Sequence, residues 1–103
     1  MRWATVPLAL VVVLVAAPVW ADFKAGVEAY KRGDYATALK EWRPLAEQGS
    51  PSAQFYMGVM LHLGYGLPED DAEAARWYRR AAEQGHPGAQ HNLGLMYSKG
   101  PAS

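Results

Sequence analysis

The chain has 103 residues, with ten basic and ten acidic side chains and no cysteine. That length holds one small domain at most, and the balanced charge argues against a general nucleic-acid binder. Without cysteine there is no disulfide, no thiolate metal site and no cysteine nucleophile. A domain this small has a thin core and leans on partners or copies for stability.

The first segment is a leader. Arg2 precedes an apolar, uncharged run from Val6 to Ala21. Its sixteen residues fall short of the roughly 20 that a membrane-spanning helix needs. The run closes on Val19-Trp20-Ala21 before Asp22, with small residues three and one positions ahead of the junction. A single positive charge, an apolar core and this ending predict a secretory signal at residues 1–21, cut after Ala21. Export to the periplasm or the exterior follows, with no stable membrane insertion after cleavage. The alternative is an uncleaved N-terminal segment that anchors the chain to a membrane.

From Asp22 onward the pattern is helical and repetitive. Leu45-Ala46-Glu47-Gln48-Gly49 returns 36 residues later as Ala81-Ala82-Glu83-Gln84-Gly85. The same shift carries Pro51 onto Pro87, Ala53 onto Ala89, Gln54 onto Gln90, Gly58 onto Gly94 and Met60 onto Met96. A fixed period of this length is the mark of a repeat array. Three inner helices are predicted at about Asp22 to Lys31, Pro51 to Leu63 and Pro87 to Lys99. Two outer helices fall at about Tyr35 to Gln48 and Asp71 to Gln84. Ser50 caps a helix that opens on Pro51, where the missing N–H costs nothing. Asp70 with Glu73 reads as a capping box, and Gly49 and Gly85 suit left-handed helix ends. Pro44 predicts a bend or an early break. Gly58 and Gly94, mid-helix, imply close approach of a neighbouring helix that offsets their cost of about 1 kcal/mol. Trp42, Trp77, Tyr35, Tyr78, Met57, Leu93 and Tyr97 supply the bulk between hairpins.

These features resemble the Sel1-like repeat, a relative of the tetratricopeptide repeat. The resemblance rests on Ala53, Met57-Gly58 and Met60, on Gly64-Tyr65-Gly66-Leu67-Pro68, and on Asp70-Asp71, Ala74-Ala75, Trp77-Tyr78 and Ala81-Ala82-Glu83-Gln84-Gly85. Gly26 to Leu39 is closer to the plain tetratricopeptide form, whose turn lacks the Gly64–Leu67 insertion. The resemblance implies an all-α, right-handed α-solenoid of antiparallel hairpins over residues 22–103, about two and a half repeats. It also implies a concave face of inner helices that binds a protein or peptide in an adaptor or assembly role. Carried onto this chain, the partner-binding candidates are Phe55, Val59 and His62 on one inner helix and His91, Leu95 and Ser98 on the next. Gln54 and Gln90 stand beside them as donors and acceptors for a peptide backbone. Family members usually close the array with a capping helix. An uncapped edge at Leu93, Met96 and Tyr97 makes self-association into a structural protein of the envelope the alternative.

No residue set favours bond chemistry, so no enzyme activity and no cofactor are expected. Gly64-Tyr65-Gly66 lacks the strand, lysine and serine of a phosphate loop and reads as a turn. His62, His86 and His91 show no i,i+4 pair, and Glu69-Asp70-Asp71 lacks the alternating ligands of a calcium loop. Those acids fit a helix N-terminus instead. Arg76, Arg79 and Arg80 form a solvated basic edge, with Glu73 one turn before Arg76 for surface pairing.

Overall fold

The computed structural model describes residues 21–99; the leader, apart from Ala21, lies outside the described residues. Within them the chain forms five α-helices: α1 (Phe23–Lys31), α2 (Tyr35–Glu47), α3 (Pro51–Leu63), α4 (Asp71–Glu83) and α5 (Pro87–Lys99). No strand occurs among the described residues. Each helix packs mainly on the next, so the architecture is an all-α array of antiparallel hairpins, α1–α2 and α3–α4, continued by α5.

Local chemistry sets the boundaries. Asp22 caps α1 by accepting from the N–H groups of Lys24 and Ala25 at 2.9 and 3.4 Å. Asp34 caps α2 through Thr37 N–H, and Ser50 caps α3 through Ala53 N–H. Gly49 and Gly85 adopt positive φ values of 109° and 91°, which relieve the chain of a Cβ clash at the helix exits. Two expectations need correction. The early break at Pro44 does not occur: α2 runs on to Glu47. Pro44 lies in the last turn, where its carbonyl still accepts from Gln48 N–H at 3.0 Å. The capping box at Asp70 closes on one side only. Asp70 accepts from Glu73 N–H, but Asp70 N–H donates to Leu61 O and Glu73 pairs with Arg76.

Packing within a hairpin follows one rule, a ring laid over a glycine. Shifting α1 by 32 residues and α3 by 36 superposes Gly26, Gly58 and Gly94 in the sequence. A Cβ on Gly58 would stand 2.5 Å from Tyr78 Cε1, and one on Gly26 would stand closer still to Trp42 Nε1. The outer-helix rings therefore fill the volume that a side chain would need. Trp42 is fully buried, stacks on Tyr56 with centroids 4.5 Å apart, and donates from Nε1 to Phe23 O at 3.1 Å. Around these rings Ala38, Ala46, Ala53, Ala74 and Ala81 are completely buried, letting the helix backbones approach. Ala36 and Ala72, on the same outer helices, are exposed.

The extra turn residues have a packing role. Gly64 takes a left-handed conformation, φ 72°, and ends α3. Tyr65 then lies flat on Tyr35, with centroids 4.5 Å apart and planes 8° from parallel. The insertion thus reaches back from the second hairpin onto the start of α2.

Gly58→Val should destabilise the chain by about 2 kcal/mol, because the Tyr78 ring cannot retreat from a packed core. Gly94→Ala, which meets nothing within 4 Å, should raise stability by about 1 kcal/mol through helix propensity alone. Urea unfolding of the two variants followed by far-UV circular dichroism tests this opposition of sign.

Candidate functional site

The inner helices carry a repeated stripe. Phe55, Val59 and His62 on α3 correspond to His91, Leu95 and Ser98 on α5, each set spaced by four and three residues so that it lies along one helix face. The stripe becomes more exposed toward the C-terminal end. Phe55 is half-buried, stacked on His86 at 4.7 Å and tilted against Tyr78 at 5.9 Å. Val59 is also partly buried and packed against the core. Leu95, by contrast, is 48% exposed, and His91 and Ser98 are exposed beside it. Ser98 Oγ donates to Leu95 O at 2.9 Å. His62 is exposed, with Nδ1 2.8 Å from Asp71 Oδ1, which links the end of α3 to the start of α4.

The two glutamines do not serve the surface role expected of them. Gln54 is only 1% exposed. Its Nε2 donates to Ala46 O at 3.1 Å, and its Oε1 accepts from Gln84 Nε2 at 2.9 Å. Gln84 Nε2 also donates to Gly49 O at 3.0 Å, so one side chain closes the α2–α3 turn from the end of α4. Gln90 repeats the first of these bonds, donating to Ala82 O at 3.1 Å. Both amides are therefore engaged with the chain's own backbone. A peptide could reach only Gln90, which is exposed. The role of Gln54 is internal, because a buried amide that loses its partners carries a desolvation cost.

Two large apolar residues outside the predicted set belong to the accessible surface. Leu63 is 47% exposed at the end of α3, and Tyr97 is 57% exposed on α5. The expectation that Tyr97 supplies bulk between hairpins is thus corrected. Its hydroxyl accepts a hydrogen bond from Arg79, whose guanidinium lies 5.6 Å from the ring centroid. Arg80 lies 4.6 Å over Trp77, so the basic edge of α4 is partly spent on its own aromatic rings. His86 accepts from Ala89 N–H through Nδ1 at 3.1 Å and so caps α5. The periodicity of α5 could have indicated Tyr97, since its equivalent Leu61 is buried only where an outer helix follows.

Among the described residues no group of three His, Asp or Glu side chains could hold a metal ion. No described helix is long and apolar enough to cross a membrane. Tyr78 is the perturbed group nearest the stripe. Burial pushes its phenol above the ordinary 10.0, while a hydrogen bond from Asn92 pulls the other way.

The arrangement is that of a repeat scaffold, and the family comparison agrees. The Sel1 repeat model matches residues 51–86 and 87–102, just over half of the chain. The chain belongs to the Sel1 repeat family. That fold is a non-catalytic scaffold, and repeats of this kind are in general protein–protein interaction modules. Comparison with curated proteins and with solved structures gave no match.

The Tyr78 shift predicts an alkaline limb. Its contribution to stability is complete below the unfolded value of 10.0 and is lost as pH rises through the higher folded value. Tyr78→Phe should lower stability at neutral pH, by about 1 kcal/mol for the hydrogen bond, and flatten the alkaline decline. Urea midpoints measured on both sides of that pH provide the check.

Proposed function

We propose that the chain is an exported helical-repeat module that binds a protein or peptide partner through its inner-helix stripe, in an adaptor or assembly role. The observation that carries this reading is the exposed apolar Leu95, set between exposed His91 and Ser98 on a helix whose neighbours are already packed. An apolar anchor ringed by polar groups is the usual composition of a binding patch on a soluble protein. The mechanism is equilibrium binding to a preformed surface, with no bond made or broken.

Export finds support at the start of α1. Asp22 N–H donates to Glu41 Oε1 at 2.8 Å. A chain cut after Ala21 would carry its new ammonium group at that nitrogen, directly against the Glu41 carboxylate. The Asp22 side chain caps α1 whether or not the preceding peptide bond is intact. The processed form would reside in the periplasm or the exterior.

A photo-crosslinking residue placed at Leu95 should trap a defined partner in the exporting cell. Leu95→Asp should abolish that partner's binding without loss of helicity. Intact mass of the exported protein should correspond to a chain beginning at Asp22. An adduct that survives Leu95→Asp would remove the stripe from the interface, and a mass that retains the leader would remove the cleavage.

A further inference from the structure

Two consecutive residues of α2 grip the start of α1. Asp22 N–H donates to Glu41 Oε1 at 2.8 Å, and Trp42 Nε1 donates to Phe23 O at 3.1 Å. The second hairpin is built differently at the same place. In the repeat register Gln54 stands where Asp22 does, and Trp77 stands where Glu41 does. Gln54 lies inside α3, so its N–H donates to Ser50 O at 2.9 Å in the ordinary helical manner. The first helix starts later in that register, at Phe23, the equivalent of Phe55. Asp22 is therefore the N-cap of α1, and its N–H turns to a carboxylate of the neighbouring helix.

That carboxylate is better matched to a cation than to a neutral amide, since a hydrogen bond between two charged groups is roughly twice as strong. Hydrolysis of the Ala21–Asp22 bond by a signal peptidase adds water, leaves the carboxylate on Ala21 and leaves a protonated amine on Asp22. The new charge opposes the macrodipole of α1, which places roughly half a positive elementary charge at the helix start. Glu41 sets a full negative charge at hydrogen-bond distance against it, and the Asp22 carboxylate, which caps Lys24 and Ala25 N–H, adds a second. Attraction exceeds repulsion. Resting on the cleavage proposed above, we infer that the cut is itself a fold-locking step: it turns the Asp22–Glu41 hydrogen bond into an ammonium–carboxylate pair that pins α1 on α2, and only a terminus at Asp22 forms that pair. The uncut chain holds α1 less firmly, which suits a polypeptide that must cross a membrane before it packs.

Chains with defined amino termini test the lock, and all five helices lie after Ala21. One form begins at Asp22 with a free amine, one carries the same residue Nα-acetylated, and one begins at Ala21. Acetylation keeps the Asp22 N–H and removes its charge, while the extra alanine moves the charge one residue away. Urea unfolding in low salt, at about pH 6 so that the amine is protonated, compares them. The free Asp22 form should have an unfolding equilibrium constant about threefold smaller than either of the others, in the range of an accessible ion pair. Glu41→Gln keeps an acceptor at the same place without its charge, and in that background the advantage should vanish. Glu47→Gln, an exposed carboxylate at the end of the same helix, should leave it intact. Four results would overturn the inference: equal stability of the free and acetylated forms, an advantage that survives Glu41→Gln, one that is also lost in Glu47→Gln, or one that the Ala21 form shares. Intact mass of the exported protein tells this failure from that of the cleavage. Equal stabilities beside a mass that begins at Asp22 would remove the lock alone. A threefold difference beside a mass that begins elsewhere would remove the cleavage, and the inference with it.

Discussion

An aromatic ring resting on the bare backbone of a glycine is the constraint from which this molecule is built. Trp42 over Gly26 and Tyr78 over Gly58 fix the distance between the two helices of each hairpin. Glycine within a helix sacrifices about 1 kcal/mol of propensity; burial of a large ring in the space it leaves more than offsets that. The alanines that surround each ring are a consequence, because backbones brought this close leave no room for longer side chains. So is the position of the stripe. The residues three before and one after each glycine lie beside the face turned to the outer helix, so Phe55 still meets Tyr78.

A second set of contacts joins hairpin to hairpin, and it is polar. Gln54 and Gln90 each donate to a carbonyl eight residues earlier, at Ala46 and Ala82. Gln84 extends the set by bonding both Gln54 and Gly49 O. Every buried side-chain nitrogen or oxygen among the described residues has a partner. Directional bonds of this kind fix which residue faces which between neighbouring helices, something that rings and alanines alone do poorly because apolar contact is non-directional.

Much of this was legible in the sequence, for definable reasons. The 36-residue shift, the caps at Ser50 and Asp70 and the glycines at the helix exits are local signals, and the bounds of α3 and α5 match those read from them. What could not be read depended on partners distant in the sequence. Gln54 looks like a surface amide until Ala46 O and Gln84 are placed beside it. Glu73 fits a capping box by spacing, yet Arg76 one turn later takes its carboxylate. Tyr97 has the composition of a core residue, but its position is buried only where another helix covers it. Gly94 shares the sequence context of Gly58, but among the described residues nothing lies within 4 Å of where its Cβ would stand. The stripe itself was legible as periodicity, whereas its gradient of exposure from Phe55 to Leu95 was set by His86 and Tyr78 packing on Phe55.

The rings are distributed unevenly along the array. Phe23, Tyr30, Tyr35, Trp42, Tyr56 and Tyr65 form one connected lattice across α1, α2, α3 and the turn after α3. Among the described residues, Phe55, Tyr78 and His86 extend it to the threshold of α5 and no further. A helix array in which each element touches mainly its neighbours has no global core to average out such differences. The molecule is therefore graded in stiffness along its length. Among the described helices, α1 to α3 carry the ring lattice, and α5, which lacks it, should exchange its amide hydrogens sooner. Mechanical load passed through α5 would be relieved there first, while the ring lattice of α1 to α3 held its shape.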